Sequence, residues 1–272
     1  MKYLVIFDFS GTLSIEAVLF GRDENLCREF KLSGLWQIGL QSSEIFWSDV
    51  IAPTWQQGAT TPIGYAALLT TRLASICDQP ETVIARCAAA FADRYFTGSC
   101  IHLAWVSLLR ELVEHPDTLV LIATDHYADA TGHILNQLKR LDIPGASFSQ
   151  TAHEWHGDTI VIANSADVGT LKATAEFWHR VKDRLALETL SSIVLVDDFG
   201  WNESSDDRYA AAEKITTRKQ ATEDVLSVVF GCPVRTVPFL LQHKYSAQEN
   251  TLMREFQASV NNIETSIKEV IV

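Results

Sequence analysis

The reading of this chain turns on YLVIFDFSGTLS, residues 3–14. An apolar run, Tyr3 to Phe7, carries the chain to a single carboxylate, Asp8, and Ser10, Gly11 and Thr12 follow within four residues. A continuous apolar run without polar alternation is what a strand buried on both faces of a parallel sheet requires. An acid at the end of such a strand is aimed out of the carboxyl edge of the sheet, where α/β proteins bind their ligands.

Two further runs end in the same way. TLVLIA, residues 118–123, leads to Thr124, and SIVLV, residues 192–196, leads to the acidic pair Asp197 and Asp198. Each is flanked by helical patterns, so the expected fold class is α/β, with a Rossmann-like parallel-sheet core that gathers these polar residues at one edge. TIVIA (159–163) reads as a further short strand and RTVPFLL (235–241) as a late one.

Between the first two strands lies a stretch with helical spacing throughout: NLCREFKLSGLWQIGL (25–40), PIGYAALLTTRLASIC (62–77) and PETVIARCAAAFADRYF (80–96). Pro80 suits the first turn of the last of these, with Asp78 or Gln79 near its cap. A connection this long carries structure of its own. We therefore expect a core domain of residues 1–14 and 101–272 and an inserted all-helical domain of residues 15–100. Helices are also expected over 101–115, 128–143, 170–188 (with Lys172 in its first turn) and 248–270.

Composition narrows the function classes. The 272 residues carry 22 basic against 34 acidic side chains, a net charge of −12, with no dense Lys/Arg run. That argues against nucleic acid and membrane surfaces as partners, but not against a small anionic substrate that needs one local positive charge. The N-terminal apolar run is too short for a signal peptide, and no window approaches a membrane span. The five cysteines are widely spaced with no CxxC, which fits reduced thiols in a cytoplasmic protein.

Asp8, Ser10, Thr124, Lys172, Asp197 and Asp198 thus form a candidate constellation. A strand-end aspartate can attack phosphorus or carbon and form a covalent intermediate. Clustered carboxylates make a hard oxygen site suited to Mg²⁺. A threonine hydroxyl and a lysine ammonium suit a phosphoryl group, and Gly11 permits a tight turn whose N–H groups could face the same oxygens.

The chain resembles the haloacid dehalogenase (HAD) superfamily of hydrolases. VIFDFSGTLS is similar to that family's DxDGT motif, VLIATD to its strand ending in Thr or Ser, GTLKATAEFW to its Gly-x-x-Lys helix opening, and IVLVDDFGWNE to its acidic fourth motif. All four occur in the family's order, and the helical insert sits where the family places a C1-type cap. The resemblance implies Asp8 as nucleophile and Thr124 and Lys172 as phosphoryl-binding groups, with Lys172 also steadying Asp8. It implies Gly11, Thr12 and Asp125 as further substrate contacts. Mg²⁺ would be held by Asp8, Asp197 or Asp198, and the backbone carbonyl of Ser10. Glu203 is a looser match to the trailing acid of the fourth motif. The implied activity is Mg²⁺-dependent hydrolysis of a small phosphorylated metabolite through an aspartyl-phosphate on Asp8.

One departure bears on chemistry. The family's phosphatases usually place a second Asp, a general acid and base, where this chain has Ser10, and such help is worth about 10²–10⁴-fold. The substrate would then have a leaving group that needs little protonation, or another group would supply the proton, or the chain would be a weakly active phosphate-ligand binder. A metal-independent dehalogenase-like hydrolase is the other alternative, against which the acidic pair argues. A second departure, Ala173 after Lys172 where the family commonly has proline, affects only the helix start.

Several residues also have plainer readings. His126, two residues after Thr124, either reaches the site or is a surface residue, the latter being the favoured reading; His153 and His156 read as loop histidines, and the run from Glu203 to Arg208 as a solvated loop. Asp125 is a second-layer acid or a cap for the next helix. Trp36, Trp47 and Trp55 are expected in the core of the insert.

Overall fold

The computed structural model describes residues 2–151, 155, 157–187, 189–202, 208–242 and 249–271. Six strands are found among them: β1 (Lys2–Phe7), β2 (Thr118–Thr124), β3 (Gly145–Ser147), β4 (Ile160–Asn164), β5 (Leu190–Asp197) and β6 (Val234–Pro238). They form one sheet in the order β3-β4-β2-β1-β5-β6, and every neighbouring pair is parallel. The expected α/β parallel core is present.

The helices are α1 (Ile15–Phe20), α2 (Asp23–Ser33), α3 (Ser43–Ile45), α4 (Ala52–Gly58), α5 (Tyr65–Ala74), α6 (Glu81–Gly98), α7 (Val106–Glu114), α8 (Asp129–Arg140), α9 (Ser165–Val168), α10 (Ala175–Arg184), α11 (Arg208–Phe230) and α12 (Glu249–Ile271). A π-helical segment, Phe46–Ile51, joins α3 to α4, and a 3₁₀ turn, Leu103–Trp105, precedes α7.

Alternate residues along each central strand serve opposite faces. Val5, Phe7, Val120, Ile122, Val194 and Val196 join one hydrophobic cluster, which also takes in the helices between β1 and β2 and α12. Leu4, Ile6, Leu119, Leu121, Ile193 and Leu195 join the other, under α10 and α11. Both faces are covered, so the strand runs are apolar throughout.

β1 lies at the centre. Its Phe7 pairs with Ile122 of β2 and with Val196 of β5, so Asp8, Thr124 and Asp197 leave the sheet at one end. The chain departs after Leu13 and returns at His102, whose N–H donates to the Leu13 carbonyl at 2.9 Å. Gln137 of α8 pins the returning strand of chain from both sides, accepting from the Ile101 N–H and donating to the Ser99 carbonyl.

Several boundaries differ from expectation, each for a local reason. α2 stops at Ser33 because Gly34 adopts the left-handed conformation (φ +88°) that ends helices. Pro80 occupies the N-cap position of α6 and not its first turn, so neither Asp78 nor Gln79 is the cap. The Thr174 hydroxyl accepts from the Phe177 N–H and starts α10 at Ala175, so Lys172 lies in the turn ahead of the helix. The π segment precedes Pro53, whose missing N–H cannot serve the Asp49 carbonyl; the Arg72 Nε–H donates to it instead. Trp47 is 45% exposed, whereas Trp36 and Trp55 pack against the core. His153, His156 and Glu203 lie outside the described residues. All five cysteines are free thiols, and no described helix is long and apolar enough to cross a membrane.

Candidate active site

The first motif folds into a turn that holds Asp8 under the sheet edge. The Asp8 N–H donates to the Val196 carbonyl at 2.9 Å, which extends the strand pairing by one residue and buries the carboxylate. The chain then turns back: the Ser14 N–H donates to the Phe9 carbonyl and the Gly11 N–H to the Ser14 carbonyl. The turn needs φ +79° at Gly11, and a Cβ there would sit 2.6 Å from the Asp198 Oδ2. Only glycine satisfies both demands. The Gly11 N–H is thus committed to the turn.

Thr12 is fully buried. Its hydroxyl accepts from the Asp198 N–H at 3.1 Å, and its carbonyl accepts from the Trp105 indole N–H at 3.0 Å. It ties the first motif to the fourth. Ser10 remains partly exposed beside Asp8.

The acidic pair closes the other side. The Asp197 Oδ2 accepts from the Lys172 ammonium at 2.9 Å, and its Oδ1 accepts from the Phe199 N–H at 2.6 Å. Asp198 accepts from the Gly200 N–H through Oδ1 and from the Asn202 N–H through Oδ2. Phe199 itself takes φ +51°, a strained value for a bulky residue, at the point where the chain bends around the two acids. Carboxylate oxygens of Asp8, Asp197 and Asp198 lie within 4.8 Å of one another, all three residues buried. Both members of the pair share the cluster.

Lys172 is the cation at the centre. Its Nζ donates to Asp8 Oδ1 as well as to Asp197. Burial alone would draw its pKa down, but Asp197, Asp8 and Asp125 outweigh it and hold the ammonium well above the usual lysine value. Its backbone is fixed from both sides. The Lys172 N–H donates to Asp125 Oδ1 at 2.8 Å, and the Trp178 indole N–H donates to the Lys172 carbonyl at 2.8 Å. Asp125 is therefore a support for the lysine turn and not a cap of α8. Burial raises its pKa, with the nearby ammonium opposing. Thr124 is buried at the end of β2, beside Asn164 of β4.

His126 is buried, contrary to its reading as a surface residue. Its Nδ1 accepts from the Tyr127 N–H, which assigns the neutral-form proton to Nε2, 2.9 Å from the Tyr95 hydroxyl oxygen. Burial, with His133 nearby, pushes its pKa down to about 4. This contact joins α6 to the turn after β2. The ring of Tyr65 stacks on Tyr127 at 4.1 Å, and the Tyr65 N–H at the start of α5 donates to Asp129 Oδ2 of α8. The helical insert thus meets the sheet edge beside the site through aromatic rings and two polar contacts. These partners join residues far apart in the chain, and no local spacing announced them.

No protein-family model matches the chain, and no curated protein matches it in sequence. Among solved structures it is similar to a 2-haloacid dehalogenase from Pseudomonas syringae pv. Tomato DC3000, at 16% identity over 79% of this chain and 84% of that one, TM-score 0.48. It is also similar to YfnB from Bacillus subtilis, designated a HAD-hydrolase and solved bound to magnesium. There the identity is 14% over 73% of this chain and 79% of that one, TM-score 0.42.

Proposed function

We propose that this protein is a hydrolase of the HAD type that cleaves a small phosphorylated substrate through a covalent intermediate on Asp8. The observation that carries the reading is the Lys172 ammonium bonded to Asp8 inside a buried cluster of three carboxylates.

In the first step an Asp8 oxygen attacks phosphorus, and the bond from phosphorus to the leaving oxygen breaks. Lys172 keeps Asp8 in its anionic, nucleophilic form and orients it. Thr124 offers its hydroxyl to a phosphoryl oxygen. Water then attacks the same phosphorus, the bond to Asp8 breaks, and the carboxylate is restored with release of inorganic phosphate. The oxygen-only donor set of crowded carboxylates fits a hard divalent cation. Asp8, Asp197 and Asp198, with the Ser10 carbonyl, would hold Mg²⁺, which supplies positive charge for an anionic group approaching an anionic nucleophile. Ser10 cannot donate a proton at neutral pH as a carboxylic acid can, so the favoured substrates are those whose leaving group departs as a stable anion: acyl phosphates and phosphoanhydrides. Residues 15–100 act as the cap that shapes the leaving-group side.

The test is phosphate release from acetyl phosphate, pyrophosphate, p-nitrophenyl phosphate and sugar phosphates, with Mg²⁺ and with chelator, beside halide release from 2-haloacids. Mg²⁺-dependent release from the activated phosphates, abolished by Asp8→Asn in a folded protein, is expected. Halide release that chelator leaves intact would replace this reading with a carbon-centred one.

A further inference from the structure

Asn202 was not among the residues that the motifs singled out, yet four hydrogen bonds converge on it beside the acidic loop. It is 2% exposed. Both hydrogens of its side-chain amide are used: Nδ2 donates to the Gly11 carbonyl at 2.7 Å and to the Phe239 carbonyl at 2.9 Å. Its Oδ1 accepts from the Leu241 N–H at 3.0 Å, and its own N–H donates to Asp198 Oδ2 at 2.8 Å. One residue therefore binds three segments: the turn after β1, the loop after β5 and the chain leaving β6. A side chain with two donors and a carbonyl oxygen is what those three backbone groups require, and asparagine is the short residue that supplies them.

The geometry gives these bonds a purpose beyond satisfying buried groups. Gly11 and the Asp198 carboxylate are in such close approach that no Cβ fits between them. Asn202 holds both sides of that approach, Gly11 through its side chain and Asp198 through its backbone. The Gly11 peptide directly follows Ser10, whose carbonyl completes the proposed oxygen set. The Phe239 N–H donates to the Asp197 carbonyl at 3.1 Å, so the segment that Asn202 grips is itself bonded to the other acid.

We propose that Asn202 is a positioning residue that sets the spacing between the Ser10–Gly11 turn and the Asp197–Asp198 pair, and through it the affinity of the site for a divalent cation. This rests on the reading of the carboxylate cluster as a Mg²⁺ site. Partners that orient metal ligands typically change metal affinity by 10–100-fold when removed.

The experiment is calorimetric titration of the full-length protein with Mg²⁺, for wild type, Asn202→Ala, Asn202→Ser and Trp201→Phe, with folding checked by circular dichroism. Asn202→Ser is carried beside alanine because it keeps a hydroxyl among the backbone groups that alanine leaves unpaired. Trp201→Phe is the control for stitching alone, since it removes the indole bond to the Leu241 carbonyl and leaves the Asn202 side chain intact. The expected result is a loss of Mg²⁺ affinity of about 10–100-fold in the folded Asn202 variants and none in Trp201→Phe. Folded Asn202 variants that bind Mg²⁺ as wild type does, or a loss that Trp201→Phe reproduces, would overturn the positioning role and leave the metal reading standing. A wild type that takes up no Mg²⁺ would overturn both.

Discussion

Lys172 and Asp8, 164 residues apart in sequence, are joined by a direct ammonium–carboxylate hydrogen bond, and the same ammonium reaches Asp197 at 2.9 Å. The pair fixes the direction of the Asp8 carboxylate. It also places one positive charge among crowded buried acids, whose mutual repulsion it offsets.

Replacing that ammonium should cost both stability and rate. Lys172→Met keeps an unbranched chain, one atom shorter, and removes the charge that Asp8 and Asp197 share. Breaking a buried pair from one side typically costs about 3–5 kcal/mol, so urea unfolding of the metal-free variant should show a loss of that order, partly recovered by Mg²⁺. Turnover should fall by roughly 10²–10³-fold, the cost of losing one well-placed electrostatic contact. Wild-type rates from a folded Lys172→Met would remove this residue from the chemistry.

Ser10→Asp asks whether the absent acid limits the reaction. Ser10 is partly exposed, two residues after Asp8. Hydrolysis of sugar phosphates should rise by up to about 10²-fold, while acetyl phosphate, which needs no proton, should change little. An unchanged ratio between the two substrates, with folding and Mg²⁺ binding intact, would refute the leaving-group argument.

Gly11→Ala should be damaging well beyond its one carbon. The residue would be held at φ +79°, and its Cβ would stand 2.6 Å from the Asp198 Oδ2. A positive φ alone costs an alanine roughly 1 kcal/mol, and the contact adds to it. We expect a lower denaturation midpoint and weaker Mg²⁺ binding together. A variant with native stability would mean that the turn has more freedom than its hydrogen bonds imply.

His126 gives the protein a distinct acid sensitivity. Its pKa is near 4 in the folded chain, against about 6.5 when unfolded. The folded state therefore favours the neutral ring. Above pH 6.5 both states are neutral and the contribution is fully present. As pH falls from 6.5 to 4 the unfolded chain takes up a proton that the folded chain refuses, and stability is lost by up to about 3 kcal/mol. Stability curves measured between these limits should be flatter in His126→Gln; a slope equal to wild type would show that other groups govern the limb.

The sequence disclosed the sheet and its polar edge because both rest on short-range pattern. Runs such as Leu119 to Ala123 are apolar throughout, being buried on both faces, and the residue that ends each run is fixed by its place on the strand. Helix α11 was missed because its apolar residues are scattered: Leu226 and Val229 are buried, while Val228 between them is 81% exposed. Lys172 was put inside a helix because its spacing continues that of α10, and the hydroxyl cap of Thr174 decided otherwise. The contacts of Asn202 and His126 are not legible from local spacing. Their partners, Gly11 and Phe239 in one case and Tyr95 in the other, become neighbours only when the strands have been ordered.

The bond between the His102 N–H and the Leu13 carbonyl has a consequence for how such a protein can diverge. The outgoing and incoming chains cross the boundary of the sheet side by side, as through a single doorway. Along the covalent chain, residues 14–101 beyond that doorway can lengthen, shorten or change character without altering the register of β1 or the reach of Asp8. On the proposed function, selection for a new leaving group would act on one side of the threshold while the attacking carboxylate stayed in place on the other.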